Sequence, residues 1–232
     1  MIKLITANLG GKQSINELTT FIEFIKQNNP DIILMQEVIK KENVNILKEL
    51  KKVLNYPFAH FALKQDFSKD YGKGVFQKEK IIEGLGIISN KEFKAEIFHL
   101  PIILGEDRWP RIAVKYQFEK FSICNLHFSK LEKSRRIAVK KLPDADIYAG
   151  DFNMQPDELL KNFTCKNSYS FQKYYSYPSK NLTLDYVLLK KGEFKELKII
   201  NVVSDHNGLF VNIFNKSKNQ RKIKKCTPIV SC

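Results

Sequence analysis

Short apolar runs, each closed by a polar island, recur along the chain. Ile2 to Ile5 ends in Thr6-Ala7-Asn8, and Ile32 to Met35 ends in Gln36-Glu37. Phe121 to Cys124 leads into Asn125-Leu126-His127, and Ile147 to Ala149 into Gly150-Asp151-Phe152-Asn153. Leu184-Asp185-Tyr186 precedes the run Val187 to Leu189, and Ser204-Asp205-His206 precedes a last apolar run at 208–214. Runs of this length with little alternation predict strands buried on both faces.

Between the first strands the period changes. Leu18, Phe21, Ile22 and Ile25 fall at helical spacing over 15–25, and Asn28-Asn29-Pro30 stops that helix. Val44, Leu47, Leu50 and Leu54 predict a second helix over 42–54. From 56 to 127 the pattern is strand-rich, with strands expected at 58–63, 85–89, 93–100, 111–118 and 120–127. The polar and aromatic segment 65–80 reads as an exposed loop. A helix over 131–141, a strand at 146–149, a short helix after Pro156 and strands near 183–189, 196–203 and 208–214 complete the series. This order predicts an α/β fold of two packed mixed β-sheets flanked by helices. There is no linker-like stretch and no repeat, so one domain over 1–214 is expected, followed by a basic, flexible tail at 215–232.

Several acids, two amides and two histidines delivered to strand ends can converge on one rim. Oxygen and imidazole groups gathered in this way suit Mg²⁺ and the hydrolysis of phosphate esters. Glu37, Asp151 and Asp205 at one point would repel one another unless a cation held them, while Asn8 and Asn153 add neutral amides. His60 and His99 read as structural hydrogen-bonders. His127 and His206 lie in islands and each has a carboxylate orienter, Glu83 and Asp185 respectively.

At these residues the chain resembles the endonuclease/exonuclease/phosphatase superfamily, the deoxyribonuclease I-like fold. The ordered set of six islands carries the resemblance from residue 2 to 214. It implies a four-layer αβ sandwich with the active site at one end. It further implies that Asn8, Glu37 and Asp205 form the metal site, and that Asp151 and Asn153 align the nucleophile. His206, oriented by Asp185, would contact the scissile phosphate, and Arg111 of Trp109-Pro110-Arg111 would bind phosphate. His127, with Glu83 as partner, is unlike the apurinic endonuclease branch. The strings Met35-Gln36-Glu37-Val38 and Ser204-Asp205-His206-Asn207-Gly208-Leu209 are most similar to the branch of tyrosyl-DNA phosphodiesterases, neutral sphingomyelinases and small bacterial nucleases.

Charge narrows the partners. The formal net charge of +14 favours nucleic acid, then an acidic membrane surface, although Lys-rich surfaces also arise from compositional bias. Phe67, Tyr71 and Phe76 among lysines, and Tyr169, Phe171, Tyr174, Tyr175 and Tyr177, either stack on unpaired bases or anchor loops to the core. The tail cations of 216–225 either add phosphate affinity or only solubilise. No run is long enough to span a bilayer and no signal peptide opens the chain, so a cytoplasmic protein with reduced cysteines is expected, Cys226 and Cys232 included. The expectation is a monomeric Mg²⁺- or Mn²⁺-dependent phosphodiesterase acting on nucleic acid, most directly DNA. The alternatives are hydrolysis of sphingomyelin or phosphoinositide head groups, and non-catalytic nucleic-acid binding.

Overall fold

The computed structural model describes residues 1–12, 14–41, 44–66, 80–103, 109–163, 175–190, 192–202 and 204–214. The aromatic positions Phe67, Tyr71, Phe76, Tyr169, Phe171 and Tyr174, the cysteines Cys165, Cys226 and Cys232, and the tail lie outside these residues.

In chain order the strands are β1 (Ile2–Asn8), β2 (Ile32–Lys41), β3 (Val44–Asn45), β4 (Phe58–Asp66), β5 (Ile82–Ser89), β6 (Lys94–Leu100), β7 (Arg111–Gln117), β8 (Ser122–His127), β9 (Ile147–Asp151), β10 (Asp185–Leu189), β11 (Glu193–Asn201) and β12 (Asn207–Phe214). The helices are α1 (Thr19–Asn28), α2 (Ile46–Leu54), α3 (Glu132–Val139) and α4 (Pro156–Asn162), with a 3₁₀ turn at Ile15–Leu18 leading into α1. One sheet runs β11-β12-β1-β2-β5-β4, with β3 paired to β2; the other runs β10-β9-β8-β7-β6. Both are mixed, since β1–β2 and β8–β9 are parallel and their other neighbours antiparallel.

Strand side chains alternate between faces, and this alternation sorts the core into three layers. Leu4, Ile32, Leu34, Leu85 and Ile87 of the first sheet meet Ile112, Val114, Ile123, Ile147, Ala149 and Val187 of the second. The other face of the first sheet, with Ile5, Ala7, Ile33 and Met35, packs on Phe21, Ile25, Leu47 and Leu50 of α1 and α2. The other face of the second sheet, with Cys124, Leu126, Tyr186 and Leu188, packs on Ala138 and Leu159 of α3 and α4. The expected helix–sheet–sheet–helix sandwich is therefore the observed one. Burial on both faces also explains why β1, β2 and β10 read as unbroken apolar runs. Cys124 is buried and free. Among the described residues no helix is long and apolar enough to cross a membrane.

β2 and β4 run past their expected ends at bulges. β2 continues six residues past Met35, because Gln36 and Glu37 form a bulge rather than a strand end: Met35 pairs with Gly86 and Val38 with Gly84. β4 likewise continues through Lys64 and Gln65, with a bulge between Leu63 and Gln65.

Candidate active site

The positions that face the space between the sheets are apolar through most of each strand and polar at one end. In β1 they run Ile2, Leu4, Thr6, Asn8; in β8 Ile123, Asn125, His127; in β9 Ile147, Ala149, Asp151. In β10 they run Leu189, Val187, Asp185, and in β5 Ile87, Leu85, Glu83. Because β9 runs parallel to β8 and antiparallel to β10, the registers His127↔Asp151 and Asp185↔Asp151 place three of these groups side by side. The sheet interior thus ends in a polar layer.

Asn8 ties this layer across the sheets. Its Nδ2 donates to Glu37 Oε1 and to Asp151 Oδ2, both at 3.1 Å, while its Oδ1 accepts the Gly10 N–H at 2.9 Å. In this arrangement the amide presents nitrogen to the carboxylates, and Asn8 bridges the two acids. Glu37 is held at φ 51, a left-handed conformation uncommon for such a residue, at the β2 bulge. Its side chain is 32 % exposed, whereas that of Asp151 is 2 % exposed.

Gly150 makes the Asp151 position possible. This glycine lies inside β9, between Leu126 of β8 and Tyr186 of β10. At φ +140 a Cβ there would sit 2.0 Å from the Leu126 carbonyl oxygen. Asn153, at φ 50, donates its N–H to Asp151 Oδ1 at 2.9 Å and its Nδ2 to the Phe128 carbonyl at 3.0 Å. Asn153 Oδ1 makes neither of these bonds.

His206 donates Nδ1–H to Asp185 Oδ2 at 2.7 Å. Its Nε2 then lies 3.9 Å from Asp151 Oδ2. The Ser176 hydroxyl accepts the N–H groups of Leu184 and Asp185, and the Tyr177 ring packs edge-on against His206 at 4.9 Å. His127 Nε2 is 3.5 Å from the same Asp151 oxygen and 3.9 Å from Glu37 Oε1. Glu83 is not its orienter. Glu83 binds Lys64 Nζ instead, which the β4 bulge carries to the same side, and His127 Nδ1 has no hydrogen-bond partner among the described residues. Arg111 opens β7, is buried, and bears electrostatically on His127. Asp205 is exposed and accepts the Ser204 hydroxyl at 3.2 Å, close to Gly10. His60 pairs with Tyr116 Oη at 3.5 Å, away from the site.

The protonation states diverge, as expected where environments differ. Burial raises the Asp151 carboxyl, and the Asp185 charge raises it further. Burial and the Glu83 charge raise Glu37, and burial raises Asp185. Burial alone would lower His206, but the hydrogen bond and charge of Asp185, then Asp151 and Asp205, push it up to about 9. His127 falls well below the ordinary histidine range through burial, then Lys64 and Arg111. One imidazolium and one neutral imidazole thus face the same carboxylate.

Buried acids raised by one another form an oxygen-rich set that a hard divalent cation fits. Asp185 Oδ1 is buried without a hydrogen-bond partner among the described residues. Ligand atoms of Asp151, Asp185 and His206 also lie within 4.8 Å of one another, a spacing one ion can bridge. His206 Nδ1 and Asp185 Oδ2 are already joined to each other, whereas the Glu37 carboxylate is the partly exposed acid of the layer.

Comparison with known proteins decides the family: the model of the endonuclease/exonuclease/phosphatase family matches residues 5–206. The chain belongs to that family. Its members are metal-dependent phosphodiesterases, nucleases and phosphatases. No curated protein matches the chain at the sequence level. Among solved structures, a family protein from Beutenbergia cavernae superposes with a TM-score of 0.70 at 14 % identity, covering 91 % of this chain and 71 % of that one. The human Nocturnin catalytic domain with bound sulfate gives 0.66 at 18 %, covering 92 % and 93 %. D. rerio TDP2 complexed with a single-strand DNA product gives 0.58 at 15 %, covering 92 % and 99 %. At these identities the likeness is one of fold.

Sequence reasoning missed Lys64 and Ser176. Lys64 sits at the edge of a segment that reads as a loop, and only the β4 bulge makes it interior. Ser176 lies between two tyrosines and carries no signal of its own.

Proposed function

We propose that this protein is a Mg²⁺- or Mn²⁺-dependent phosphodiesterase that hydrolyses nucleic acid, most directly DNA, as a nuclease or DNA end-processing enzyme working as a monomer. One observation carries the reading: Asp151 Oδ2 lies within 3.9 Å of the Nε2 atoms of both His127 and His206, and Asn8 links the same oxygen to Glu37. A phosphodiester placed there meets a buried carboxylate, an imidazolium and a neutral imidazole.

Asp151 would take the proton of an attacking water, and its raised affinity for protons suits a base working near neutral pH. Asn153 would fix the carboxylate through its N–H and offer Oδ1 to the water. His206, protonated and oriented by Asp185, would donate to a phosphoryl oxygen as negative charge grows there. His127 and Arg111 would add donors on the other side. Glu37 would hold the cation, with Asp205 at the exposed edge and Asn8 keeping the Glu37 and Asp151 carboxylates together. When bound, the cation would supply Lewis-acid polarisation of phosphoryl oxygens.

The net charge of +14 and the DNA product bound to D. rerio TDP2 support a nucleic-acid substrate. A panel of plasmid, single-stranded DNA, abasic duplex, 5′-tyrosyl DNA and sphingomyelin, each with and without Mg²⁺, tests the substrate class. Mg²⁺-dependent cleavage of a DNA member is expected. Hydrolysis of sphingomyelin alone, or metal-independent DNA binding without turnover, would overturn the assignment.

A further inference from the structure

Gln36 and Asn125 are polar residues of two islands that the proposed chemistry leaves unused. They meet inside the molecule, beside the Glu37 bulge. At that bulge Gln36 and Glu37 together oppose Leu85, so the ladder between β2 and β5 opens. Gln36 keeps its pairing with β1, where its carbonyl accepts the Leu9 N–H at 3.0 Å. On the β5 side the Met35 and Gly86 carbonyls are taken up from the opposite sheet. Asn125 Nδ2 donates to both, at 3.2 Å each. Asn125 Oδ1 in turn accepts Gln36 Nε2 at 2.7 Å, and Gln36 Nε2 also reaches Thr6 Oγ1 at 3.2 Å.

Both amides are fully buried. A polar group between two apolar sheet faces is costly unless paired. Asn125 Nδ2 pairs with the backbone that the bulge disrupts and Gln36 Nε2 pairs with Asn125 Oδ1, while Gln36 Oε1 is buried without a hydrogen-bond partner among the described residues. Glu37 needs that backbone held. Its left-handed φ persists only where the surroundings over-determine it. Asn8 fixes the carboxylate end, and Asn125 fixes the main chain on which it stands.

We infer that the Gln36–Asn125 bridge is a positioning device that fixes the β2 bulge, thereby aims the Glu37 carboxylate, and so sets the affinity of the protein for a divalent cation. The inference rests on the proposed role of Glu37 as the cation-holding acid. Asn125 and Gln36 act through the backbone of Met35 to Glu37 and touch no substrate.

Mn²⁺ binding to the full-length, substrate-free protein tests it, with Mn²⁺ alone as the probe and thermal melts in parallel. Glu37→Gln should abolish binding. Asn125→Ala should weaken it by about 10-fold or more, the usual effect of removing a group that orients a ligand. Gln36→Met, which keeps the volume but leaves Asn125 Oδ1 unpaired, should weaken it severalfold. Ile123→Ala, an apolar deletion in the same inter-sheet core, should lower the melting temperature yet bind Mn²⁺ as the wild type does. If Asn125→Ala does not fold, Gln36→Met decides. Wild-type Mn²⁺ affinity in the bridge variants, alongside lost binding in Glu37→Gln, would overturn the inference and leave the bridge purely structural. Wild-type affinity in Glu37→Gln would instead overturn the role of Glu37, and the inference with it.

Discussion

His206 Nδ1 and Asp185 Oδ2 lie 2.7 Å apart, both buried, on segments that reach the site from different parts of the first and second sheets. The bond fixes the ring and loads it with a proton to about pH 9. If protonated His206 is the active form, turnover falls as pH rises through that value. Asp185→Asn removes the charge that raises His206, so the alkaline limb should move to lower pH, toward the ordinary 6.5, with KM little changed. A pH–rate profile checks this; an unmoved alkaline limb would show that His206 is not the group being read.

Asp151 sits 1 % exposed among acids that raise one another. Asp151→Asn should lower turnover by roughly 10²-fold or more, the scale for loss of a general base. The same change relieves repulsion between Asp151 and Asp185. In metal-free buffer the variant should therefore melt no lower than wild type, and higher by roughly 2–4 °C per kcal/mol of strain removed. Assay and melt on one preparation separate the effects. Near-wild-type turnover would remove Asp151 from the mechanism.

The Lys64–Glu83 pair is nearly enclosed, at 4 % and 15 % side-chain exposure. Glu83→Gln leaves Lys64 charged without its partner and should cost about 3–5 kcal/mol, as breaking a buried pair does. The double variant Lys64→Met, Glu83→Leu should recover most of that stability. Denaturant unfolding measures both. Equal losses in the single and double variants would mean that packing, not the ion pair, holds this corner.

Gly150→Ala should prevent normal folding, since the new methyl would meet the Leu126 carbonyl and φ +140 disfavours any side chain. Circular dichroism and melting check it. A variant with wild-type stability would mean that β8 and β9 are spaced more widely than this.

Much of the fold was legible because burial on both faces turned strands into plain apolar runs: Ile32 to Met35 and Val187 to Leu189 needed no more than that. The site was legible for a related reason, since the polar islands are where inter-sheet positions leave the apolar core. Bulges were not legible. Gln36-Glu37 ended the run at Met35, so β2 seemed to stop where it bends, and Lys64 fell outside the expected strand. Pairing was also hidden: a sequence places Glu83 near His127 but cannot show that Lys64 reaches it first. The direction of the Asn8 amide, set by the Gly10 N–H, has no sequence signal either.

The central claim is metal-dependent phosphodiester hydrolysis at the Glu37–Asp151–His206 cluster. Its most direct test is turnover of single-stranded DNA by protein stripped exhaustively with EDTA, then titrated with Mg²⁺ or Mn²⁺. Activity should vanish on stripping and return with either ion in wild type, but not in Glu37→Gln. Undiminished hydrolysis by the stripped protein would contradict the account.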